Sequence, residues 1–262
     1  MVEIKEKSSM KLIGVDILDK IGKIDYLFTT RCGQEQVGGL DFDRKGIDDP
    51  KVAGSYEAAA DYFGVAVSDI FVMDQVHGSR VTYLANRPVG DEMFGVVKTD
   101  GVITKVPRLA LAVLTADCVP ILMMDVGGSA VGAVHAGWRG TVEGISAAAI
   151  RTMGDSFGSR AEEIVVVLGP AIGPCCYEVG PEVAAAVKEK HLSGGEYLSE
   201  TEGGCFMFDL VGLNQSLFHK AGVPEKNIFS VGLCTRCRGD LFYSYRREGA
   251  NTGRMLSAIM IR

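Results

Sequence analysis

Histidine is scarce in this chain of 262 residues. It occurs four times, as His77, His135, His191 and His219. This count excludes any chemistry that needs a large set of imidazole ligands, such as a multinuclear copper centre. Two of the four, His191 and His219, follow or end predicted helices, where a positive charge suits the helix dipole. We therefore expect them to be ordinary surface residues.

Long basic runs and long apolar runs are also missing. Lys and Arg number 27 against 33 Asp and Glu, a net charge of −6, which argues against a nucleic-acid partner. The longest apolar stretch, residues 109–124, is interrupted by Asp117 and Pro120, so no membrane span is expected. The charged N-terminal segment does not resemble a signal peptide. These features favour a cytoplasmic protein, and we take a monomer as the default.

No P-loop, no GxGxxG segment after a strand, no repeat and no linker is found, so one domain over residues 1–262 is expected. Apolar, β-branched runs predict strands at residues 24–28, 69–73, 81–84, 101–104, 109–115, 119–124, 130–134, 164–168, 228–233 and 255–261. Capping residues and helical periodicity predict helices at residues 51–63, 141–153, 181–190 and 209–221. This mixture predicts an α+β fold with mixed sheets.

Three metal-competent side chains follow or end apolar strands: His77, Cys118 and His135. Two imidazoles and one thiolate suit Zn²⁺, and three protein ligands leave a fourth position open. The gaps of 41 and 17 residues mean that the side chains come from separate strand ends, which is typical of a catalytic site. The alternative for each residue taken singly is ordinary core packing.

The cysteine count of seven is odd, and a chain of this length does not need disulfides. Cys175-Cys176 is a vicinal pair, and Cys234 and Cys237 form a CxxC segment. A second zinc site using both pairs is one interpretation. Because the spacing is irregular, buried reduced thiols are the expectation we prefer.

The motifs of the chain resemble those of the YfiH-like family, also called the laccase-domain or multicopper polyphenol oxidase family. The matching segments are Phe28-Thr29-Thr30-Arg31, Gln75-Val76-His77-Gly78, Thr99-Asp100-Gly101, residues 115–120, residues 135–140, residues 168–179 and residues 242–247. They run in order from about residue 25 to the C-terminus. One departure is Arg31-Cys32-Gly33-Gln34-Glu35-Gln36-Val37, where the family usually has Arg, any residue, then Gly-Gly-Val-Ser.

This resemblance implies a single-domain α+β sandwich with flanking helices and an enzyme of purine nucleosides. The activity it implies is zinc-dependent phosphorolysis of adenosine, inosine, guanosine or methylthioadenosine to the base and ribose 1-phosphate, with deamination of adenosine as well. The family's zinc ligands map onto His77, Cys118 and His135. Copper is also compatible with this donor set. Four histidines are too few for a true multicopper laccase.

Further roles follow as hypotheses. Beside its metal ligands, the catalytic set includes Asp117, either as a proton carrier for deamination or as a residue that orients a ligand. We expect phosphate or nucleoside contacts from Arg31, Gln75, Arg139 and Arg247, since a guanidinium fork suits phosphate. Each arginine has an alternative structural role. The aromatic run at residues 242–245 either stacks a base or packs in the core.

Two other functions remain open on the sequence alone. One is a cysteine hydrolase in which Cys118 is the nucleophile and His135 or His77 is its base. The other is a thiol-rich zinc-binding or redox-sensing module without turnover.

Overall fold

The computed structural model describes residues 2–33, 39–43, 46, 48–88, 94–191 and 193–262. The Gln34–Val37 part of the departure from the family pattern lies outside these residues. Within the described ranges, no helix combines the length and the apolar character needed to cross a membrane.

Two large mixed sheets form the centre of the fold. The first has seven strands in the order β1 (Val2–Lys7), β2 (Met10–Val15), β3 (Ile24–Gly33), β16 (Met255–Ile261), β8 (Ala110–Thr115), β4 (Ile70–Asp74) and β6 (Phe94–Lys98). The second has six, in the order β15 (Ile228–Ser230), β11 (Ile164–Leu168), β9 (Val119–Asp125), β10 (Val131–Ala136), β7 (Gly101–Thr104) and β5 (Val81–Leu84). A small third sheet contains β12 (Glu178–Val179), β14 (Phe206–Phe208) and β13 (Leu198–Glu200). The α+β prediction is therefore confirmed.

The helices of the described residues differ in where they pack. They are α1 (Asp16–Asp19), α2 (Pro50–Phe63), α3 (Trp138–Val142), α4 (Ile145–Phe157), α5 (Pro181–Lys190), α6 (Leu210–Lys220) and α7 (Tyr245–Glu248). Helix α2 packs on the seven-stranded sheet, whereas α4, α5 and α6 pack on the six-stranded sheet. The layers are thus helix, sheet, sheet and helices.

The central strands are apolar on both faces because each sheet is covered on both sides. In β8, Leu111 and Val113 point into the core between the sheets, while Ala110 and Ala112 pack under α2. In β9 and β10 the same alternation divides residues between the intersheet core and the helices. This double burial explains why these strands appear in the sequence as continuous apolar runs.

Several predicted elements have different bounds in the structure, and the strand predicted at residues 24–28 continues to Gly33. The helix predicted at residues 141–153 is divided into α3 and α4 at Gly144, whose φ of +87° breaks the helical path. The strand predicted at residues 228–233 ends at Ser230, and Gly232 with a φ of +69° turns the chain soon after. Strands β1, β2, β6, β12, β13 and β14 were not predicted, and β1 is a largely exposed, charged edge strand without an apolar pattern.

Candidate active site

The three metal-competent side chains meet at one edge of the sandwich. His77 follows β4, Cys118 lies in the turn between β8 and β9, and His135 is near the end of β10. Their donor atoms all lie within 4.8 Å of one another. Strands β4 and β8 are parallel neighbours, and the β8–β9 turn crosses from one sheet to the other. The topology therefore brings together side chains that are far apart in sequence.

Glycines make room for this cluster. A Cβ on Gly137 would lie 3.2 Å from His77 Cδ2 and 3.3 Å from Cys118 Sγ. A Cβ on Gly140 would collide with the carbonyl oxygen of Gly78. The chain after β10 can therefore approach the His77 loop closely only because these positions have no side chain.

Backbone strain marks two of the site residues. His77 has a φ of +61° and Asp117 a φ of +99°, in the left-handed region that residues with a side chain rarely adopt. Such conformations persist where hydrogen bonds hold them, and they are often found at functional sites. At His77 the holding group is Asp100.

Asp100 belongs to the Thr99-Asp100-Gly101 segment, but the sequence assigned it no role at the site. It is buried, and its carboxylate accepts hydrogen bonds from the backbone N–H groups of Val76, His77 and Gly78 at 3.2, 2.9 and 2.7 Å. The same carboxylate lies 2.8 Å from His135 Nδ1. One side chain therefore holds the His77 loop and orients the His135 ring, which leaves Nε2 of that ring for the cluster.

Charges within the cluster shift its pKa values. Burial acts to raise the pKa of Cys118, but His135 and His77 outweigh it and lower the pKa to about 6. Burial acts to lower the pKa of His135, but Cys118 and Asp100 outweigh it and raise the pKa to about 9. Burial also opposes ionisation of Asp100, yet the hydrogen bonds from His135 and Gly78 leave its pKa below the ordinary value. The cluster thus favours a thiolate, the form of cysteine that binds metal ions.

The donor set can hold a metal ion. Two imidazoles and a thiolate are a suitable combination for Zn²⁺, and both the close approach of the donors and the Asp100–His135 pair fit a three-ligand centre. His77 is the exposed member, so the cluster opens toward solvent on its side.

A cavity of about 760 Å³ lies over the cluster. Beside the three donors, its lining contains carboxylates, arginines, aromatic rings and the end of β8: Asp43, Met73, Asp74, Gln75, Leu114, Thr115, Ala116, Asp117, Gly137, Trp138, Arg139, Tyr177, Tyr245, Arg246 and Arg254. Thr115 Oγ1 is buried and has no hydrogen-bond partner among the described residues. The volume and polar lining suit a small organic ligand.

The four polar residues expected to contact substrate occupy different environments. Arg139 lines the cavity with its guanidinium 4.4 Å from the Trp138 ring. Gln75 also lines it, but its amide oxygen and nitrogen both bond to the backbone of Leu114 at 2.8 Å. Arg31 and Arg247 are outside the lining, and both guanidinium groups pair with Glu248 at 2.7 Å. We attribute a structural role to this ion-paired group.

Arg246 reaches the cavity where Arg247 does not. The two are neighbours on the short helix α7, where successive side chains point about 100° apart. Arg246 donates from Nη1 to the Glu178 carbonyl at 2.7 Å and lies over the Tyr177 ring. The sequence contained both arginines, but the helix that separates their directions was not predicted.

Asp117 is tied to the chain segment that precedes and includes α7. Its Oδ1 accepts a hydrogen bond from Thr235 Oγ1 at 2.6 Å, and its Oδ2 accepts one from the Arg246 backbone N–H at 2.7 Å. Both carboxylate oxygens are therefore engaged beside Cys118. This arrangement favours the orienting role over the proton-carrying role.

Comparisons with known proteins show which proteins this chain resembles. Residues 25–262 match the family described as multi-copper polyphenol oxidoreductase laccase. The chain is 37% identical over 239 residues to a purine nucleoside phosphorylase of Deinococcus radiodurans, covering 90% of this chain and 88% of that protein. It is 30% identical to adenosine deaminase RL5 of an unknown prokaryotic organism, covering 95% and 98%. The crystal structure of the hypothetical protein YfiH from Bacillus licheniformis superposes with a TM-score of 0.88 at 30% identity, covering 99% of each chain.

Proposed function

The chain belongs to the multi-copper polyphenol oxidoreductase laccase family, and on that premise we propose that it is a zinc-dependent purine nucleoside phosphorylase. The family description is not its activity, because four histidines cannot supply a multicopper oxidase. The observation that carries the proposal is the open three-donor cluster at the base of a cavity with arginines and aromatic rings. A relative named as a purine nucleoside phosphorylase supports the same activity.

The proposed reaction takes a purine nucleoside and inorganic phosphate. A phosphate oxygen forms a bond to the anomeric carbon of ribose while the bond from that carbon to the purine nitrogen breaks. The electron pair leaves with the purine, which then accepts a proton. The products are the free base and ribose 1-phosphate for adenosine, inosine and guanosine, and adenine and 5-methylthioribose 1-phosphate for methylthioadenosine, the four substrates that we propose.

Phosphate binding is assigned to the arginines that line the cavity. The Arg139 guanidinium forms no ion pair or hydrogen bond within the described residues, so its donors are available to a ligand. Arg246 uses Nη1 for the Glu178 carbonyl, and it lines the same cavity. A planar fork of donors matches two phosphate oxygens, and its charge offsets that of the nucleophile.

Base and ribose binding are assigned to the aromatic and polar lining. The exposed Tyr245 ring borders the cavity and offers a face on which a purine could stack, whereas the Tyr177 ring is covered by Phe208 and Arg246. The buried, unpartnered hydroxyl of Thr115 supplies a hydrogen bond that nothing in the described chain uses. A polar ligand atom at that point would remove the cost of burying the hydroxyl alone.

His77, Cys118 and His135 would hold the zinc ion, with Asp100 as the group that orients His135. Bound there, zinc would act as a Lewis acid that withdraws electron density from an oxygen or nitrogen of the ligand. The protein itself keeps Cys118 as a thiolate, and the lack of a side chain at Gly137 leaves room for the donors.

Hydrolytic deamination of adenosine to inosine and ammonia is the second proposed activity. A relative covering nearly the whole chain is named adenosine deaminase, which favours it. The HxE motif of common zinc deaminases is absent, and Asp117 is engaged on both oxygens. We therefore assign Asp117 to positioning the Cys118 turn, and we expect deamination to be the slower reaction.

Incubation with inosine and phosphate, followed by chromatography, tests the proposal. We expect hypoxanthine and ribose 1-phosphate from the zinc-loaded protein, and no hypoxanthine when phosphate is omitted. Cys118→Ala should remove the activity, whereas Cys205→Ala, a half-buried cysteine outside the cluster, should retain it. Absence of product from zinc-loaded protein, or an active Cys118→Ala, would contradict it. Anomalous scattering at the zinc edge with no metal on Cys118 would instead favour the cysteine hydrolase.

A further inference from the structure

Four cysteines from two loops meet at the surface. Cys175 and Cys176 follow Gly173, and Cys234 and Cys237 form the CxxC segment. Their sulfur atoms all lie within 4.8 Å of one another. Cys237 Sγ is 3.6 Å from Cys175 Sγ and 3.4 Å from Cys176 Sγ. We propose that these residues, here called the four-thiol cluster, form a structural zinc site.

The distances suit a tetrahedral metal better than a disulfide. Four sulfurs at about 2.3 Å from a central Zn²⁺ are about 3.8 Å apart, close to the observed separations. A disulfide brings two sulfurs to about 2.05 Å, and it would select one partner for Cys237. In the structure Cys237 approaches two cysteines at nearly equal distances. A shared central ion accounts for both approaches.

Backbone hydrogen bonds hold both loops of the four-thiol cluster in tight turns and reach one of its sulfur atoms. Gly173 donates its N–H to Cys234 Sγ at 3.3 Å, and the Cys237 N–H also bonds to that sulfur. The Cys176 N–H bonds to the Gly173 carbonyl and the Arg238 N–H to the Cys234 carbonyl, each at 3.0 Å, so both segments are tight turns. Such N–H groups stabilise charge on sulfur and aim the side chains inward.

The cluster joins the two loops that close one side of the active-site cavity. The first loop continues to Tyr177, and the second passes Thr235 and leads to Arg246. Thr235 lies between the two cysteines of the CxxC segment and donates to Asp117 beside Cys118. A metal in the four-thiol cluster would therefore fix the wall of the cavity without contacting substrate. With four protein ligands it leaves no position for a water or a substrate.

Binding requires no oxidant. Thiols that are protonated release their protons to solvent as Zn²⁺ binds, and neither sulfur nor zinc changes oxidation state. The loops are already joined by backbone hydrogen bonds, from Thr235 N–H to the Ala171 carbonyl at 3.0 Å and from Ala171 N–H to the Leu233 carbonyl at 3.3 Å. The fold is thus not expected to depend wholly on this metal.

The test isolates this cluster from the active site. Cys118→Ala removes the three-donor centre, so its remaining zinc reports the four-thiol cluster alone. We expect one zinc per chain and X-ray absorption fine structure with four sulfur neighbours at about 2.3 Å. Zinc with nitrogen neighbours, or no zinc, would overturn the proposal. Iron in place of zinc would overturn the metal identity, and an intact mass lower by two or four hydrogens would indicate disulfides instead.

Variants and alkylation complete the experiment. Relative to the unmodified protein, Cys175→Ser/Cys237→Ser should lose one zinc per chain, and the matched Cys205→Ser should lose none. In the unmodified protein, exposed Cys175 and Cys237 should resist iodoacetamide until a chelator is added. This second measurement needs no variant, so a folding failure cannot hide the answer. Alkylation of both before chelation would refute a metal site. None of these readouts depends on nucleoside turnover.

Discussion

The molecule has two sulfur-containing clusters that differ in where their donors come from. The three donors His77, Cys118 and His135 stand at strand ends on two sheets, and they open into a cavity. The four-thiol cluster is carried by loops, and two of its cysteines are exposed. Three ligands leave a coordination position for chemistry, whereas four close the shell. Rigid strand ends thus carry the proposed reaction, and loops carry the proposed support.

The largest difference between the clusters should appear on removal of one sulfur from each. Cys118→Ala should lower kcat/KM for inosine phosphorolysis about 10³-fold or more, because the Lewis acid would be lost together with several kcal/mol of transition-state stabilisation. Cys175→Ser should lower it less than tenfold while reducing the melting temperature. Steady-state kinetics and thermal unfolding measure both. Equal loss of kcat/KM in the two variants would remove the distinction between them.

A substitution at Asp100 tests whether its carboxylate keeps the three donors in place. Asp100→Asn should weaken zinc binding about 10–100-fold, because the carboxylate no longer orients His135 and the His77 loop loses its acceptor. Competition with a chromophoric chelator measures the affinity. Asp155→Asn, on an exposed position of α4, is the control and should bind zinc as the parent does. An unchanged affinity in Asp100→Asn would show that the ligand geometry does not depend on this carboxylate.

A substitution at Thr235 tests whether the four-thiol cluster and the three-donor cluster are coupled through Asp117. Thr235→Val keeps the shape of the side chain but removes the donor to Asp117, which leaves a buried carboxylate oxygen without this partner. We expect a loss of about 1–3 kcal/mol in the free energy of unfolding, measured by urea denaturation. Thr152→Val, whose hydroxyl bonds only within α4, is the control and should change stability less. A neutral Thr235→Val would mean that the two clusters are not coupled through Asp117.

The smallest expected effect concerns Glu248, which pairs with Arg247 in the chain segment that follows Thr235. Burial acts to raise its pKa, but hydrogen bonds from Arg247 and Thr252 and the charge of Arg31 lower it below the ordinary value of 4.5. Its contribution is therefore present above about pH 4.5 and is lost as the pH falls through the lowered pKa. Glu248→Gln should cost about 1 kcal/mol at pH 7 and progressively less as the pH falls below 4.5. Urea unfolding across this range measures it, and a pH-independent difference would contradict the assignment.

The sequence could predict the three-donor cluster because each member ends or follows an apolar run, with glycines near both histidines and Asp117 beside Cys118. It could not assign a role to Asp100, since a lone aspartate before a strand is common and the partners of its carboxylate lie in two separate segments, residues 76–78 and His135. It also could not choose Arg246 over Arg247, because that choice depends on the orientation of a four-residue helix. The assignment of phosphate contacts to Arg31 and Arg247 therefore rested on residue type alone.

The cysteines illustrate the same limit. A vicinal pair and a CxxC segment that begins 58 positions after it have no diagnostic spacing, so buried reduced thiols were the expectation we preferred. The burial part of that expectation is wrong for Cys175 and Cys237, which are exposed. The parallel bridge between Ala171 and Cys234 brings the two loops together. Non-local pairing of this kind depends on the whole sheet arrangement, which local patterns do not encode.

The crossing of the β8–β9 turn from one sheet to the other has a kinetic consequence. His77 depends on the seven-stranded sheet and His135 on the six-stranded sheet, so their donor atoms converge only after the two sheets have packed together. A metal ion held by both would be captured late in folding. It should therefore slow unfolding while leaving the folding rate nearly unchanged, because it stabilises contacts that are absent from the transition state. Zinc occupancy would in this way set the lifetime of the native sandwich rather than the speed of its formation.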